Sequence, residues 1–210
     1  MSRPILISAG ATRNPIDAIR YISAFSTGRT GVAVAEALAP SGPVTLLGSA
    51  EACLRATAQP NLETVEYRST RDLMAKMLDF VRTHPDAIVV HAAAVGDYEV
   101  ADAAGAKIPS NRDELVLRLT PTPKIVDHLK AAGPDIRLVS FKAASPETTD
   151  AQLHGLADKQ RLRTGSDRVF ANVLGRLSSR VLFLGEQARW HATRTDAMDD
   201  LIATLRGWQG

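Results

Sequence analysis

The sequence predicts a doubly wound α/β fold, with a mainly parallel sheet covered by helices on both faces. Short, almost wholly apolar segments alternate with segments of helical periodicity along most of the chain. The apolar segments are continuous rather than alternating, which is typical of strands buried on both faces of a parallel sheet. With 210 residues, of which 45% are hydrophobic, the chain is long enough to bury such a core. We therefore expect a single domain over residues 1–210.

The first half of the chain supplies four predicted strands and two predicted helices. The strands are residues 4–8 (PILIS), 43–47 (PVTLL), 62–67 (LETVEY) and 87–91 (AIVVH). Residues 31–38 (GVAVAEAL) form an alanine-rich helix after the first strand. Ser69 is a candidate N-cap for a second helix, in which Leu73, Met77 and Val81 recur at helical spacing. A helix between two strands favours parallel pairing, because the chain crosses over before the next strand begins.

The second half continues the alternation and ends in a helix. Residues 125–130 and 148–163 are predicted helices, and residues 136–141, 168–171 and 181–184 are predicted strands. A closing helix carries an apolar stripe over residues 197–208, with Thr195 as its candidate N-cap. This order of elements is typical of Rossmann-like sheets, in which ligands bind at the carboxyl ends of the strands.

Residues 98–121 interrupt the alternation with a polar segment that contains glycine and proline. A connection of that length without regular structure is uncommon inside a compact domain and usually has a function. We therefore predict a flap that protrudes around residues 98–121.

Composition excludes several classes of function. The formal net charge is only +2, which favours neither a nucleic-acid partner nor a membrane partner. Cys53 is the single cysteine, so the chain can form no internal disulfide and no cysteine-rich metal site. We interpret Cys53 as a packing residue rather than a nucleophile. The apolar stretch at the N-terminus is too short for a signal peptide or a membrane span, so a cytoplasmic location is expected.

Two segments near the start could bind a ligand at the carboxyl edge of the sheet. Residues 8–13 (SAGATR) resemble a dinucleotide-binding turn around Gly10, but the G-x-G-x-x-G spacing is absent and a tight turn explains them equally well. Residues 23–31 (SAFSTGRTG) open the alanine-rich helix. Their Ser26, Gly28 and Gly31 are small, so backbone amides can approach an anion at a helix N-terminus. A phosphate cradle is the favoured interpretation, and an ordinary N-cap and turn is the alternative.

Two further segments carry candidate polar groups. In residues 91–98 (HAAAVGDY), Ala92 and Ala93 leave room for a base or sugar, and Asp97 could accept from a ribose hydroxyl or help to hold a metal. At such positions His91 is more often a hydrogen-bonded core residue, and Asp97 more often a turn former. Lys107 lies in the flap and could neutralise charge that develops in phosphoryl or nucleotidyl transfer. The alternative for Lys107 is a solvated surface lysine.

These four segments, in this order, resemble the phosphopantothenate–cysteine ligase family in its stand-alone form. The resemblance covers residues 4–174. ISAGATRNPIDAIRYIS and FSTGRTG are similar to the family's first strand and nucleotide loop, and HAAAVGDY is similar to its A-A-A-V-x-D-Y/F run. Lys107 stands at the family's spacing from Asp97, and TPKIV, SFKA and FAN continue the match in order.

The resemblance implies a role for each matching residue. Asp97 and Lys107 would be catalytic, and Arg20, Ala24 and Phe25 would contact the acyl substrate. The implied nucleotide contacts come from both loops and from three later segments: Gly10, Ser26, Gly28, Gly31, His91, Ala92, Ala93, Asp97, Lys107, Pro123, Lys124, Ile125, Val126, Phe141, Lys142 and Asn172. Within this set, residues 123–126 and Phe141 would frame the base.

The resemblance also implies a two-step reaction in coenzyme A biosynthesis. The carboxylate of 4'-phosphopantothenate would attack the α-phosphate of CTP or ATP, giving an acyl-nucleotidylate and pyrophosphate. The amine of cysteine would then displace the nucleoside monophosphate. Mg²⁺ would bridge the triphosphate, and catalysis would rest on positioning and electrostatics because no protein nucleophile is required. A homodimer is also implied, with the flap crossing towards the partner.

Two departures from the family pattern affect this assignment. Most members carry asparagine where this chain has Ala24, and that amide holds the substrate carboxylate. Pro109 and Ser110 stand where many CTP-using bacterial members have further lysines, so the choice between CTP and ATP stays open. The basic residues of the helix over residues 148–163 are candidate phosphate contacts without a fixed register: Lys159, Arg161 and Arg163.

Two alternative functions follow from the same residues. Ala24 prompts a nucleotide-binding homologue with impaired or altered acyl-substrate specificity. The fold class also accommodates an NAD(P)-dependent oxidoreductase. Against the oxidoreductase stand the missing G-x-G-x-x-G and the missing Tyr-x-x-x-Lys pair, since Asp102 lies four residues after Tyr98.

Overall fold

The computed structural model describes residues 3–111, 113–176 and 178–209. Its strands are β1 (Ile5–Ala9), β2 (Arg13–Pro15), β3 (Tyr21–Ser23), β4 (Val44–Gly48), β5 (Leu62–Glu66), β6 (Ile88–His91), β7 (Tyr98–Val100), β8 (Leu119–Pro121), β9 (Arg137–Ala144), β10 (Arg168–Val173), β11 (Ser179–Leu184) and β12 (Ala188–Thr193). Its α-helices are α1 (Arg29–Leu38), α2 (Ala50–Arg55), α3 (Thr70–Thr83), α4 (Ile125–Ala132), α5 (Asp150–Thr164) and α6 (Arg194–Gln209). A 3₁₀ turn, Ala39–Ser41, follows α1.

Eight strands form the main sheet, in the order β12-β11-β10-β9-β6-β1-β4-β5. The six strands from β10 to β5 are parallel, and β11 and β12 extend the β10 edge in antiparallel pairing. The chain builds outward from β1 through β4 to β5, and then returns to β6 on the other side of β1. The strand order therefore reverses between β1 and β6, and such a switch point is where ligands bind in open α/β sheets. The predicted doubly wound, mainly parallel fold is confirmed.

The core lies in layers on the two faces of this sheet. Ile5 and Ile7 of β1 join a cluster under α1 and α6, whereas Leu6 joins a cluster under α3 and α4. Successive strand residues point to opposite faces, so a continuous apolar strand supplies both clusters at once. A third cluster packs α5 against β10 and β11, with Leu153 and Leu182 fully buried.

Some local structure differs from the sequence-based expectation. The helix α2, which contains Cys53, and the hairpin strand β12 have no counterpart among the predicted elements. Burial, followed by the charge of Glu66, raises the pKa of the Cys53 thiol, which is consistent with a packing residue. Ser69 caps α3 as predicted, accepting a hydrogen bond from the Asp72 N–H. The cap predicted at Thr195 is wrong: Thr193 accepts from the backbone N–H three residues later at 3.1 Å, so the helix begins earlier.

The predicted flap begins and ends in strands that pair with each other rather than with the main sheet. Strand β7 runs antiparallel to β8, and Arg112 between them lies outside the described residues. A second small hairpin, β2–β3, lies between β1 and α1 and is bonded to the flap through Ala104 N–H and Ile16 O, 3.0 Å apart. In the part of the chain that the structure describes, no helix is long and apolar enough to cross a membrane.

Candidate functional site

The turns that follow β1 and β6 meet at the switch point of the sheet. Ala94 N–H donates to Gly10 O at 2.8 Å, and Thr12 N–H donates to Ala94 O at 3.1 Å. Gly10 has φ +92°, a left-handed conformation that favours glycine, and an added Cβ would lie 2.2 Å from Ser49 Oγ. Backbone hydrogen bonds therefore join two of the predicted ligand segments, residues 8–13 and 91–98. Together these segments form one platform at the carboxyl edge of the sheet.

The helix α1 begins beside this platform, and two glycines at its start pack too closely against their neighbours to carry a side chain. A Cβ on Gly28, the N-cap at φ +73°, would lie 2.6 Å from Ala52 Cβ, and one on Gly31 would lie 2.6 Å from Ala9 Cβ. Gly31 is buried against β1, so its first role is helix packing. Ser26 Oγ accepts from the Gly28 N–H at 3.3 Å. No side chain caps α1 and its first turn holds no acidic residue, so its partial positive charge stays available to an anion.

Three predicted nucleotide residues lie on the face of the sheet that α1 covers. Ala92 and Phe141 pack against the core cluster under α1, and Asn172 follows Phe170 of that cluster by two residues along β10. The rings of Phe141 and Phe170 stack with centroids 4.8 Å apart. The predicted contact Lys142 lies on the opposite face, because successive strand residues alternate. The structure thus groups Ala92, Phe141 and Asn172 with the start of α1 and separates Lys142 from them.

His91 is held by a hydrogen bond inside the sheet. Its Nδ1 lies 2.8 Å from Ser8 Oγ, and the Ala93 N–H donates to the same hydroxyl at 3.2 Å. Burial lowers the pKa of His91 to about 4, so the imidazole is neutral at physiological pH. This geometry favours the hydrogen-bonded core residue over a cationic phosphate contact. Its effect on the platform is to align Ala93.

Asp97 and Lys124, predicted from distant segments, form an ion pair at the mouth of the platform. Lys124 Nζ lies 2.5 Å from Asp97 Oδ1, and both side chains are more than half exposed. The Thr122 N–H donates to the backbone oxygen of Asp97 at 3.0 Å, which fixes the turn that precedes α4. Lys124 is the N-cap of α4, while Ile125 is buried in the cluster on the other face. A ligand can therefore meet Ile125 only through its backbone.

The position of Lys107 depends on a buried carboxylate that sequence reasoning missed. The Asp17 side chain is fully buried, and its two oxygens accept from the N–H groups of Ile108, Ile19 and Arg20 and from Arg20 Nε. The hydrogen bond from Ile108 is the largest cause that holds the pKa of Asp17 far below its usual range. Arg20 Nη2 also donates to Ile108 O at 2.5 Å. The predicted substrate residue Arg20 is thus bonded to the flap, beside the exposed Lys107.

The other predicted substrate residues, Ala24 and Phe25, lie between β3 and α1. Ala24 is half-buried, whereas Phe25 is 97% exposed. Neither makes a side-chain hydrogen bond, as their chemistry dictates. They stand immediately before Ser26, so the predicted acyl-substrate residues and the predicted anion cradle are contiguous in sequence.

A cavity of about 650 Å³ lies at the carboxyl ends of β1, β4 and β5, beside the β2–β3 hairpin. Its lining residues are Ala11, Arg13, Pro15, Asp17, Ala18, Ile19, Arg20, Tyr21, Ser49, Ala50, Glu66, Tyr67, Arg68, Ser69 and Asp72. Of the predicted site residues, Arg20 contributes to it. The cavity therefore lies on the far side of β1 from Phe141 and Asn172, and it does not define the nucleotide position.

A second cavity, of about 540 Å³, distinguishes Lys159 from the other two basic candidates on α5. Lys159 lines it, together with the start of α5. Arg161 pairs with Asp158, and Arg163 pairs with Asp127 of α4. Lys159 is therefore the best placed of the three for an incoming anion. Within the described ranges, no group of three or more His, Cys, Asp or Glu side chains could hold a metal ion by itself.

The fold and the site define a doubly wound α/β protein whose carboxyl edge combines a small-residue platform, an uncapped helix N-terminus and a flap. Residues 1–196 match the family described as the DNA/pantothenate metabolism flavoprotein C-terminal domain. The chain belongs to this family, which confirms the family resemblance that its motifs indicated.

Individual relatives agree with this placement. The chain is 40% identical over 174 residues to the coenzyme A biosynthesis bifunctional protein CoaBC of Thermococcus kodakarensis, a match that covers 81% of the chain and 41% of that protein. The chain thus spans about two fifths of that curated relative. The crystal structure of the DNA/pantothenate metabolism flavoprotein from Streptococcus pneumoniae has a TM-score of 0.87 at 27% identity, with 99% of this chain and 100% of that chain covered. A Cab2 mutant in complex with phosphopantothenate-cysteine has a TM-score of 0.79 at 18% identity over 98% of this chain and 87% of that one, a likeness of fold alone.

Proposed function

We propose that this protein joins 4'-phosphopantothenate to cysteine through an acyl-nucleotidylate, at the expense of CTP or ATP. The observation that carries the proposal is the convergence of Ala92, Phe141 and Asn172 on the side of the sheet where α1 begins. Family membership supports the same assignment. The similarity to a CoaBC protein supports a place in coenzyme A biosynthesis.

The chemistry needs groups that bind and orient rather than a protein nucleophile. Backbone N–H groups at the start of α1 would bind the phosphates, and Phe141 would stack against the base. The substrate carboxylate would attack the α-phosphorus and pyrophosphate would leave, while Lys107 neutralises the developing charge. Cysteine's amine would then attack the acyl carbon, losing a proton, and the nucleoside monophosphate would leave.

Magnesium would bind here as an ion carried by the nucleotide. Mg²⁺ usually keeps several waters and takes one or two carboxylates together with substrate phosphates. Asp97 supplies one exposed carboxylate at the platform, and Lys124 shares it through an ion pair. When bound, the ion would supply charge neutralisation between the phosphates, and Asp97 is the residue that would hold it.

We also propose that two copies of the chain form a homodimer through the β2–β3 hairpin and the flap. Large apolar side chains are exposed on these two neighbouring segments: Ile19 (62%), Tyr21 (48%) and Phe25 (97%) on the hairpin side, and Tyr98 (53%) and Val116 (78%) on the flap. Grouped exposed apolar residues mark an interaction surface. Light scattering at micromolar concentration should give twice the chain mass, and an Ile19→Ser/Val116→Ser variant should shift to the monomer. A monomeric wild type would contradict the proposal.

The ligase is tested by pyrophosphate release with phosphopantothenate, Mg²⁺ and either CTP or ATP, with and without cysteine. Release that rises on adding cysteine supports the full reaction and identifies the nucleotide. Lys107→Met should slow the release, and Lys76→Met, which changes the same charge on α3, should not. No release with any nucleotide, although the nucleotide binds, would contradict the ligase.

A second candidate, a nucleotide-binding homologue with altered acyl specificity, is favoured by Ala24 itself, whose side chain has no hydrogen-bond donor. The amide of Asn14, on strand β2 of the neighbouring hairpin, is already committed: its Nδ2 donates to Tyr98 O at 2.9 Å, and its Oδ1 accepts from Thr70 N–H at 2.9 Å. It is therefore not free to replace the amide that Ala24 lacks. A single equivalent of pyrophosphate without a cysteine-dependent increase would support this second function.

A further inference from the structure

Arg194, the first residue of α6, contacts the beginning of α1. Its Nη2 donates to Thr30 Oγ1 at 2.7 Å, and Thr30 is the second residue of α1. The guanidinium carbon lies 5.4 Å from the centroid of the Phe170 ring, which in turn stacks on Phe141. Arg194 therefore links the start of α1, through Phe170, to Phe141, which was predicted to frame the base.

The charge of Arg194 has no carboxylate partner among the described residues. Its Nη1 is buried and makes no hydrogen bond with the described part of the chain. Burial lowers the pKa of the guanidinium, although arginine remains protonated at physiological pH. A guanidinium held partly out of water without an anion is costly, so the site favours an incoming negative group.

The start of α1 beside Arg194 adds positive potential, and Asp196 in the first turn of α6 accepts a hydrogen bond from Thr193 Oγ1 and makes no ion pair with Arg194 among the described residues. The first turn of α1 holds no acidic residue, and the N-cap Gly28 makes no side-chain cap. The neighbouring Arg29 is exposed on the same turn. Because the Thr30 oxygen accepts from Arg194, its own hydroxyl hydrogen is left to be donated elsewhere. The pair thus presents a polarised O–H next to the backbone N–H groups at the start of α1.

We propose that Arg194 is a positioning residue for the phosphates of a nucleoside triphosphate, acting through Thr30. The guanidinium orients the Thr30 hydroxyl towards a phosphate oxygen at the start of α1 and supplies the positive charge behind it. This inference rests on the proposed nucleotide site and deepens it, since it assigns part of the triphosphate contact to the last helix of the chain. Sequence reasoning missed it because Arg194 opens a helix whose apolar stripe indicates only packing.

The chain offers a matched control on the same pair of helices. Arg206, near the end of α6, donates through Nη2 to Ala37 O at 3.0 Å, near the end of α1. Arg194→Met and Arg206→Met therefore remove the same charge and one α6–α1 hydrogen bond each, at opposite ends of α1. Thr30→Val keeps the charge of Arg194 and the shape of the Thr30 side chain, and it removes the hydroxyl to which Arg194 donates.

The test is calorimetric titration of each variant with Mg²⁺ and CTP, ATP, CMP, AMP or inorganic tripolyphosphate. We expect Arg194→Met to weaken triphosphate and tripolyphosphate binding roughly tenfold or more, and monophosphate binding less. Thr30→Val should have a similar effect, and the double variant should add little, because both residues act on one contact. Arg206→Met should bind like the wild type.

Thermal melting of every variant without ligand identifies a folding defect, and Arg194→Lys, which keeps the charge, serves if Arg194→Met does not fold. Wild-type affinity in Arg194→Met, or additive losses in the double variant, would overturn the role of Arg194. If the wild type binds tripolyphosphate but no nucleotide, the proposed ligase fails, while the tripolyphosphate arm still decides on Arg194. Binding of neither by the wild type would overturn both.

Discussion

The carboxylate of Asp17 accepts a hydrogen bond from the Ile108 N–H at 2.9 Å, across 91 positions of sequence. Arg20 closes the same junction by donating to the Ile108 carbonyl oxygen at 2.5 Å. The β2–β3 turn and the flap are thereby joined at both backbone groups of one residue. Because Lys107 is the preceding residue, this junction decides where its ammonium group can reach.

Asp17→Asn should loosen the flap without unfolding the main sheet, since the β2–β3 hairpin lies outside that sheet. An amide keeps one acceptor and loses the charge that bonds Arg20, so we expect Lys107 to be misplaced. A small misplacement of a positioned group costs up to about 100-fold in rate, so the cysteine-dependent turnover should fall within that range. Hydrogen exchange of the Ile108 amide should accelerate in the same variant. Asp102→Asn, which removes a carboxylate paired with Arg118 on the flap, is the control; equal exchange in both variants would contradict the role of Asp17.

Parallel strands and the helices between them were predictable because the hydrophobic pattern of each lies within its own segment and does not depend on distant residues. Leu6 and Ile7 read as a buried strand whatever surrounds them, and Ser69 reads as a cap from its own neighbours. The hairpin strand β12 was missed because its residues are mostly exposed and its pairing depends on β11. Likewise, α2 has six residues, too few for a helical period to appear.

The same distinction separates the site residues that could be predicted from those that could not. Ala92 and Asp97 were predicted because they follow a strand in one continuous motif, and the structure places that motif at the switch point. Asp17 and Arg194 act on Ile108 and Thr30, and neither partner is near in sequence. Contacts of this kind depend on chain packing, which a single sequence does not reveal. The i,i+3 spacing of Asp17 and Arg20 was the one available signal.

His91 should make stability depend on pH below neutrality. Its pKa is lowered from 6.5 to about 4 by burial, so between these values the unfolded chain binds a proton that the folded chain does not. The stabilisation is therefore complete above pH 6.5 and is lost as the pH falls towards 4, by about 3 kcal/mol at 1.36 kcal/mol per pKa unit. Urea unfolding at stepwise pH should show this slope. His91→Gln should flatten it, and the exposed His128→Gln on α4 should keep it; an unchanged slope in His91→Gln would show that other groups cause the dependence.

Phe141 should distinguish base binding from phosphate binding. Its ring is the half-buried member of the pair with Phe170, whereas Phe170 is fully buried. Removing a ring that stacks on a base costs about 1–3 kcal/mol, so Phe141→Ala should weaken CTP or ATP binding roughly tenfold or more. Tripolyphosphate binding should be unchanged, and Phe141→Tyr should restore nucleotide affinity. Equal losses for nucleotide and tripolyphosphate in titrations would mean that Phe141 supports the whole site rather than the base.

Ala24→Asn should strengthen binding of the acyl substrate. Ala24 lies between β3 and the predicted anion cradle that begins at Ser26. It is half-buried, and its side chain has no hydrogen-bond donor. An added amide within reach of the substrate carboxylate would contribute about 0.5–1.5 kcal/mol, so the KM for phosphopantothenate should fall by about twofold to tenfold. Ala151→Asn, the same change on the exposed side of α5, is the control for nonspecific effects. A lower KM for phosphopantothenate together with an unchanged KM for the nucleotide would locate the acyl site beside Ala24. A raised KM would mean that the alanine accommodates a bulkier acid, and it would favour the homologue with altered specificity.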